Sequence, residues 1–264
     1  MSNFSKYATA YRLALSRAVV YRANLFLGAI NVLIWFGTLI LLYRAIGGTI
    51  GSYSSHELVT YILLTSFLTA VLFNDTSEQI ANEIFEGDLA SFLLRPINYF
   101  YYWMARSAAT RSVLFLIAIV VVSILSRFVA NDVIIQSNPI VLLQTATLVV
   151  GSLVLMMILD FIGATFSFWT GRSFGPRWLL MICSRFLSGA ALPIALMPMW
   201  AQTIFYATPF PSIVSAPVES YLGHQRGMAF IHALVVQWIW IVILLILLWC
   251  LWKRGVKTYA AYGN

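Results

Sequence analysis

Charged residues are scarce in this sequence. Asp, Glu, Lys and Arg make up 9% of the 264 residues, whereas a soluble domain usually carries roughly 25%. Apolar residues make up 61% and the mean hydropathy is +0.87, which is more than a chain of this length buries in a water-soluble core. The composition excludes an ordinary soluble domain and predicts a protein that lies in a lipid bilayer.

Cysteine is also rare. The two cysteines, Cys183 and Cys250, lie inside apolar runs without CxxC or Cys/His spacing, which argues against a disulfide framework and a zinc site. The three histidines, His56, His224 and His232, are scattered and lack partners at metal-ligand spacing. We therefore predict no metal site and no cofactor bound by this chain itself.

Long apolar runs fill most of the chain and predict six membrane-spanning helices. About 17 to 25 residues are needed to cross the hydrocarbon core of a bilayer. Pro193 and Pro198 are expected to kink the fifth helix without ending it. The predicted spans cover residues 23–46, 57–73, 108–128, 139–170, 178–206 and 228–252. Ser54 with Glu57 is expected to cap the start of span two, and Asn138 with a following proline the start of span four. Gly223 is expected to end a short helix over 215–222.

The N-terminal segment, residues 1–22, predicts a separate helix in the membrane interface. Its apolar residues recur at helical spacing on one side, whereas Lys6 and Arg17 lie on the other. A basic amphipathic helix of this kind suits an anionic leaflet. Residues 1–264 are thus one integral membrane domain, with the interfacial helix at 1–22 and the six-span region at 23–264.

The basic residues are distributed unevenly around the spans. Of the 16 Lys and Arg, only Arg44, Arg127 and Arg226 fall on one side, while most of the others share the opposite side. Because cytoplasmic segments carry the excess of basic residues, both termini are predicted to be cytoplasmic. An even number of spans follows, in agreement with six. The net charge of +7 is assigned to orientation, and no nucleic-acid partner is expected.

The segment from residue 74 to residue 106 is the most informative, because it holds five of the nine acidic residues: Asp75, Glu78, Glu83, Glu86 and Asp88. Span two is predicted to continue to Glu86, Gly87 to end it, and Asp88 to cap a short helix over 89–94. That helix is too apolar for a solvated loop. Two interpretations stay open: an amphipathic helix lying on the bilayer, or a projection received by a groove on a soluble partner.

The sequence EGDLASFLLRP at 86–96, preceded by IANEI, resembles the E-G-x-L-x-x-x-L-L-R-P motif of ABC-2 type transporter permeases. Residues 21–24 and 47–53, with Glu57 and Leu58, are similar to an uncharacterised six-span branch of these exporter subunits. The resemblance implies a membrane subunit of the cell (inner or plasma) membrane that pairs with a second permease, identical or related. ATP and Mg would be used by separate cytoplasmic ABC ATPase subunits, in agreement with the lack of a GxxxxGK[ST] loop here.

The resemblance also implies an all-α fold: six transmembrane helices, an N-terminal elbow helix, a cytoplasmic coupling helix between spans two and three, and short outer helices between spans five and six. Such a subunit is not itself an enzyme. Its ATPase-coupling surface would be formed by Glu86, Gly87, Asp88, Leu89, Phe92, Leu93, Leu94, Arg95 and Pro96. No residue is indicated for substrate binding, although Glu219 lies where an exit gate is expected.

Asp160 is the acidic residue deepest in a predicted span, and a structural pair with Arg185 of span five is favoured over a substrate or proton role. Two other classes of protein stay open as alternatives. A secondary transporter is expected to have paired repeats and several buried titratable groups, whereas this chain offers essentially Asp160 and Arg185. A membrane-embedded lipid-modifying enzyme needs a concentrated set of catalytic groups, which the sequence does not show.

Overall fold

A computed structural model of the chain describes residues 3–20, 51, 53–128, 132–170 and 174–262, together with positions 30, 34, 37 and 38. The regular elements of this described part are all helices, as predicted. Four helical stretches, two of which consist of two consecutive helices, are long and apolar enough to cross a membrane: Ser55–Phe85, Tyr99–Arg127, Pro139–Thr170 and Met228–Tyr259. Span one, 23–46, lies almost wholly outside the described residues, so the total of six spans stays a prediction.

The helices are numbered here in chain order within the described residues. They are α1 (Asn3–Val20), α2 (Ser55–Leu72), α3 (Thr76–Phe85), α4 (Asp88–Leu93), α5 (Tyr99–Phe128), α6 (Pro139–Thr165), α7 (Ser167–Thr170), α8 (Phe174–Leu187), α9 (Met199–Tyr206), α10 (Ser215–Leu222) and α11 (Met228–Tyr262).

The starts of two spans follow the predicted capping chemistry. Ser54 accepts a hydrogen bond from the Glu57 backbone N–H, and the Glu57 side chain accepts one from the Ser54 backbone N–H, which makes a capping box at the start of α2. Asn138 accepts from the Ile140 backbone N–H, and Pro139 occupies the first turn of α6. Polar residues just before apolar runs therefore set where these spans begin.

The second span is broken where the sequence predicted one continuous helix to Glu86. α2 ends at Leu72, Phe73 is extended, and α3 begins at Thr76. The side-chain oxygen of Asn74 accepts from the Thr76 backbone N–H at 3.0 Å. Such short polar side chains offer the backbone an alternative to helical hydrogen bonds, which explains the interruption.

The predicted continuous fifth span, 178–206, is wrong. α8 stops at Leu187, the chain turns through Gly189 with a φ of +77°, a 3-10 turn covers Ile194–Leu196, and α9 is a separate short helix. Tyr61 donates to the Gly189 carbonyl at 2.6 Å, and this bond ties the turn to α2. Glycine tolerates the left-handed φ, and prolines lack the backbone N–H that a continuing helix needs, so one continuous helix over 178–206 does not form.

A buried amide joins the segment between α9 and α10 to two spans. Gln237 of α11 donates to the Leu148 carbonyl of α6 at 3.0 Å and to the Ser212 carbonyl at 2.9 Å. A Cβ at Gly151 would collide with this amide, so a larger residue at this position would displace the Gln237 side chain from its two hydrogen bonds. In lipid such interhelical hydrogen bonds add to packing, and here they fix the middle of the bundle.

Candidate functional site

The segment between the second and third spans forms a compact projection at one end of the bundle. α3 is followed by Gly87, whose φ of +89° lies in the left-handed region, and α4 then runs from Asp88 to Leu93. Gly87, and not Asp88 as predicted, is the N-cap residue, and Asp88 is the first helical residue. The turn at Gly87 directs α4 away from the axis of α3.

The predicted coupling residues divide into an exposed set and an anchoring set. Leu94 is 88% exposed and Leu89 is fully buried at 0%, while Phe92 is half-buried and has the Arg95 guanidinium 5.4 Å from its ring centroid. Leu93 ends α4, but its side chain lies outside the described part. The other exposed members of the set are Glu86, Gly87, Asp88, Arg95 and Pro96.

Glu83 anchors the base of the projection, and sequence reasoning did not single it out. Its carboxylate accepts hydrogen bonds from Tyr99 at 3.1 Å, from the Trp103 indole at 2.9 Å and from Arg106 at 3.0 Å. Arg106 also donates to Gln79 at 2.9 Å and lies over the Trp103 ring. Charge-assisted bonds of this kind are the strong ones, so α3 and the start of α5 are held together on both sides of α4.

Aromatic side chains continue this anchor into the last span. Tyr99 packs edge-on against Phe92 of α4, with ring centroids 5.6 Å apart, and stacks on Trp252 of α11 at 5.4 Å. The hydroxyl of Tyr259, also on α11, lies beside Gly87. The projection therefore packs against the C-terminal part of α11 as well as against its neighbours in sequence.

The N-terminal helix forms hydrogen bonds with the chain just after the projection. Lys6 of α1 donates to the Pro96 carbonyl at 3.2 Å, and the Asn98 backbone N–H donates to the Tyr7 hydroxyl at 3.2 Å. α1 thus packs along the first part of α5. Its helical structure is confirmed, whereas its place in the membrane interface stays a prediction.

The predicted Asp160–Arg185 pair is wrong, because Asp160 binds Arg111 instead. Arg111 Nη2 lies 3.0 Å from Asp160 Oδ2, and the two side chains are 8% and 4% exposed. Arg111 lies near the start of the predicted third span, where the distribution of basic residues predicts the cytoplasmic side, and it is buried within α5. Arg185 lies over the Phe73 ring at the break in the second span, 5.4 Å from its centroid.

A second polar cluster lies at the opposite end of the bundle. The Tyr53 hydroxyl donates to Glu219 Oε1 at 2.5 Å, His224 Nδ1 lies 2.6 Å from Glu219 Oε2, and His224 Nε2 lies 3.0 Å from Glu57 Oε1. The hydrogen bond to Glu219 raises the pKa of His224 to about 9, so the ring is an imidazolium at neutral pH. A cavity of about 400 Å³ beside the cluster is lined by Tyr53, Ala195, Tyr206, Glu219, His224 and Gln225.

The cluster around His224 and the projection around α4 are suited to different roles. The two ring nitrogens of His224 point in opposite directions, so one ion cannot be held by the ring and both carboxylates together. Among the described residues, no group of three or more His, Cys, Asp or Glu has the arrangement of a metal site. The cluster is suited to holding segments together, whereas the exposed projection is suited to contact with another molecule.

These features define a class: a multi-pass helical membrane protein with a rigidly anchored projection at one end. Residues 29–263 match the family model described as ABC-2 family transporter protein. The chain belongs to this family, which confirms the resemblance seen in residues 86–96, and a role as a transmembrane permease follows from that membership. A search against individual curated proteins gave no match.

Proposed function

We propose that this chain is the permease subunit of an ATP-driven exporter and works as a dimer, with residues 86–96 as its contact to separate cytoplasmic ABC ATPase subunits. The observation that carries the proposal is the projection around α4, which exposes Leu94 almost completely while its base is anchored through Glu83. An apolar side chain exposed at the end of a short anchored helix can enter a groove on a partner protein.

The charge of the projection favours a protein groove over the bilayer surface. Glu86 and Asp88 are exposed on the same small projection as Leu94. An anionic cytoplasmic leaflet attracts basic segments and repels carboxylates. A helix lying on that leaflet would therefore be expected to carry lysine and arginine at these positions, and a soluble partner is the better explanation.

The anchoring explains how movement of an ATPase would reach the spans. A projection that turned freely at its base would absorb such movement locally. Here Glu83 bonds α3 to Tyr99, Trp103 and Arg106 of α5, and Tyr99 stacks on Trp252 of α11. Displacement of α4 is therefore passed to three helices together, as a rigid-body transition between two states requires.

Family membership favours this permease role over a secondary transporter or a lipid-modifying enzyme. The buried Asp160, which an ion-coupled transporter would need to titrate, is engaged by Arg111 at 3.0 Å. ATP and Mg, in this proposal, are handled by the partner subunits alone.

The test is the substitution Leu94→Asp in the tagged protein, with Ile135→Asp as matched control. Both native side chains are large and apolar and are 88% and 84% exposed, at opposite ends of the third span. Leu94→Asp is expected to remove the ABC ATPase from the purified complex, because a charge would be buried unpaired in the groove. Ile135→Asp is expected to retain it.

Recovery of the ATPase is measured by quantitative mass spectrometry after gentle solubilisation. Size-exclusion profiles of both variants must match that of the parent protein, so that misfolding is separated from lost contact. An undiminished yield of ATPase with Leu94→Asp would refute the assigned contact surface. Export driven by this chain without any ATPase would refute the proposed class of transporter.

A further inference from the structure

The cluster around His224 joins segments that are far apart in the sequence. Tyr53 precedes α2, Glu57 lies in its first turn, Glu219 belongs to α10, and His224 follows α10. Glu219 is 7% exposed, so its carboxylate is almost fully withdrawn from water. Its contacts therefore connect the segment between α8 and α11 to the start of the second span.

The imidazolium is what makes this contact favourable. Glu57 and Glu219 would repel one another across a small distance, and His224 lies between them with one N–H for each carboxylate. Charge-assisted hydrogen bonds are stronger than neutral ones, and more so where burial lowers the local dielectric constant. Loss of the proton from His224 would remove one donor and leave two facing carboxylates.

The other contacts of α10 are neutral hydrogen bonds and the packing of the buried Val218 in the core, and they do not titrate in the same range. Ser220 lies 3.5 Å from Thr145 of α6, and Gln136 donates to the Tyr221 carbonyl at 3.1 Å. The Ser215 backbone N–H donates to the Ser188 carbonyl at 3.0 Å. The stabilisation of α10 by these bonds does not change with pH in this range, whereas the stabilisation by the His224 contacts depends on the protonation of His224.

The charged and titratable groups around His224 together favour its protonated form. Glu219 and Glu57 stabilise the imidazolium, whereas the Arg226 guanidinium, which packs over Gly223, opposes it. Burial and the bond to Glu219 raise the pKa of Tyr53, so its hydroxyl remains a donor throughout. Tyr206 lines the cavity, and His56 faces Asp132 at 3.9 Å.

We propose that His224 is an electrostatic latch that fastens α10 to the start of α2, and that deprotonation of His224 releases α10 and opens the adjoining cavity. The latch is a property of this chain alone and does not depend on the proposed contact with an ATPase. In the working transporter the protonation of His224 would therefore set the position of α10, at the end of the bundle opposite the projection around α4.

The direction of the pH dependence follows from the raised pKa. A group whose pKa rises on folding, here from 6.5 to about 9, stabilises the folded contact fully below pH 6.5. That stabilisation is lost as the pH rises through about 9. The latch is therefore closed at neutral pH and opens in alkali.

The test places a cysteine on α10 and measures its reaction with a maleimide in the purified protein. Val218→Cys is suitable because Val218 is 1% exposed and neighbours Glu219, and both native cysteines are replaced by serine. Ile135→Cys, at a position 84% exposed, gives the reference rate and corrects for thiol ionisation. The normalised rate of the Val218→Cys variant is expected to rise between pH 8 and pH 10.

Two substitutions identify the group responsible. His224→Gln is expected to give a high normalised rate at all pH values. Glu57→Gln keeps an amide that can still complete the capping box with Ser54 but removes one negative charge, so the midpoint should fall by about one pH unit. A flat profile in the parent protein, or a midpoint unmoved by Glu57→Gln, would show that packing alone holds α10 and would overturn the latch.

Discussion

At the scale of single residues, Arg111 and Asp160 show how a charge is kept inside a membrane span. Their side chains meet at 3.0 Å with almost no exposure, and Arg111 Nη1 also approaches the Met157 sulfur at 3.9 Å. The Arg111 Nε has no hydrogen-bond partner in the described part of the chain. An isolated charge at this depth is costly, and pairing within the protein is what permits it.

Removing either member of the pair should destabilise the protein, but not equally. Asp160→Leu leaves an arginine that cannot lose its proton, whereas Arg111→Met leaves a carboxyl that can become neutral by gaining one. We expect Asp160→Leu to cost about 3–5 kcal/mol, the range for breaking a buried pair, and Arg111→Met to cost less. The double variant should be more stable than Asp160→Leu alone.

Thermal unfolding of the detergent-solubilised variants at neutral pH measures this order. Arg185→Met is the control, since Arg185 contacts the Phe73 ring and not Asp160. Equal losses for the two single variants and an additive loss in the double variant would mean that the pair carries no coupling energy.

At the scale of elements, the turn at Gly87 sets the direction of the projection. Its φ of +89° is unfavourable for a residue with a Cβ, and the nearest atom to such a Cβ would be the Tyr259 hydroxyl at 3.7 Å. That distance is ordinary van der Waals contact, so space does not require glycine here. The backbone conformation does.

Gly87→Ala is therefore expected to cost about 1–2 kcal/mol in the turn and to weaken ATPase association while the bundle keeps its thermal stability. Gly175→Ala is the matched control, because Gly175 lies within α8 with nothing near its Cβ position and alanine favours helix. The two variants are compared by the yield of copurified ATPase and by thermal unfolding. Full ATPase recovery with Gly87→Ala would show that α4 does not need this turn.

At the scale of the whole molecule, the third span separates the two functional ends. α5 covers 30 residues, about 45 Å at 1.5 Å per residue, which exceeds the thickness of the hydrocarbon core. Leu94 precedes it and Ile135 follows it, both strongly exposed. The excess of basic residues predicts that the end with Leu94 is cytoplasmic.

Cysteine labelling in intact cells tests this orientation. In cells without the partner ATPase and in a background lacking Cys183 and Cys250, Ile135→Cys should react with a membrane-impermeant maleimide, and Leu94→Cys should react only after the cells are permeabilised. The two native side chains have similar exposure, so a difference in labelling reports the side of the membrane and not burial in the protein. The reverse pattern would place the projection outside the cell and would contradict both the orientation and the contact with a cytoplasmic ATPase.

Features with local causes were predicted well from the sequence. The start of α2 at Ser54 and of α6 at Asn138, and the end of α10 at Gly223 with a φ of +82°, follow from capping and turn chemistry within a few residues. The long apolar runs gave the second, third, fourth and last spans for the same reason. The breaks at Asn74 and Gly189 were missed, because their polar and small residues lie within runs whose average hydropathy is high.

What the sequence by itself determined is the class of protein, the positions of four spans and the motif at 86–96, since composition, periodicity and short-range hydrogen bonding act between near neighbours. Only the tertiary structure decided which distant groups meet. Asp160 pairs with Arg111 and not Arg185, Leu89 is an anchor and not a contact, and His224 lies between two carboxylates. These outcomes depend on how helices pack, because the energy of a buried charge is set by whichever partner the folded bundle brings within hydrogen-bonding distance.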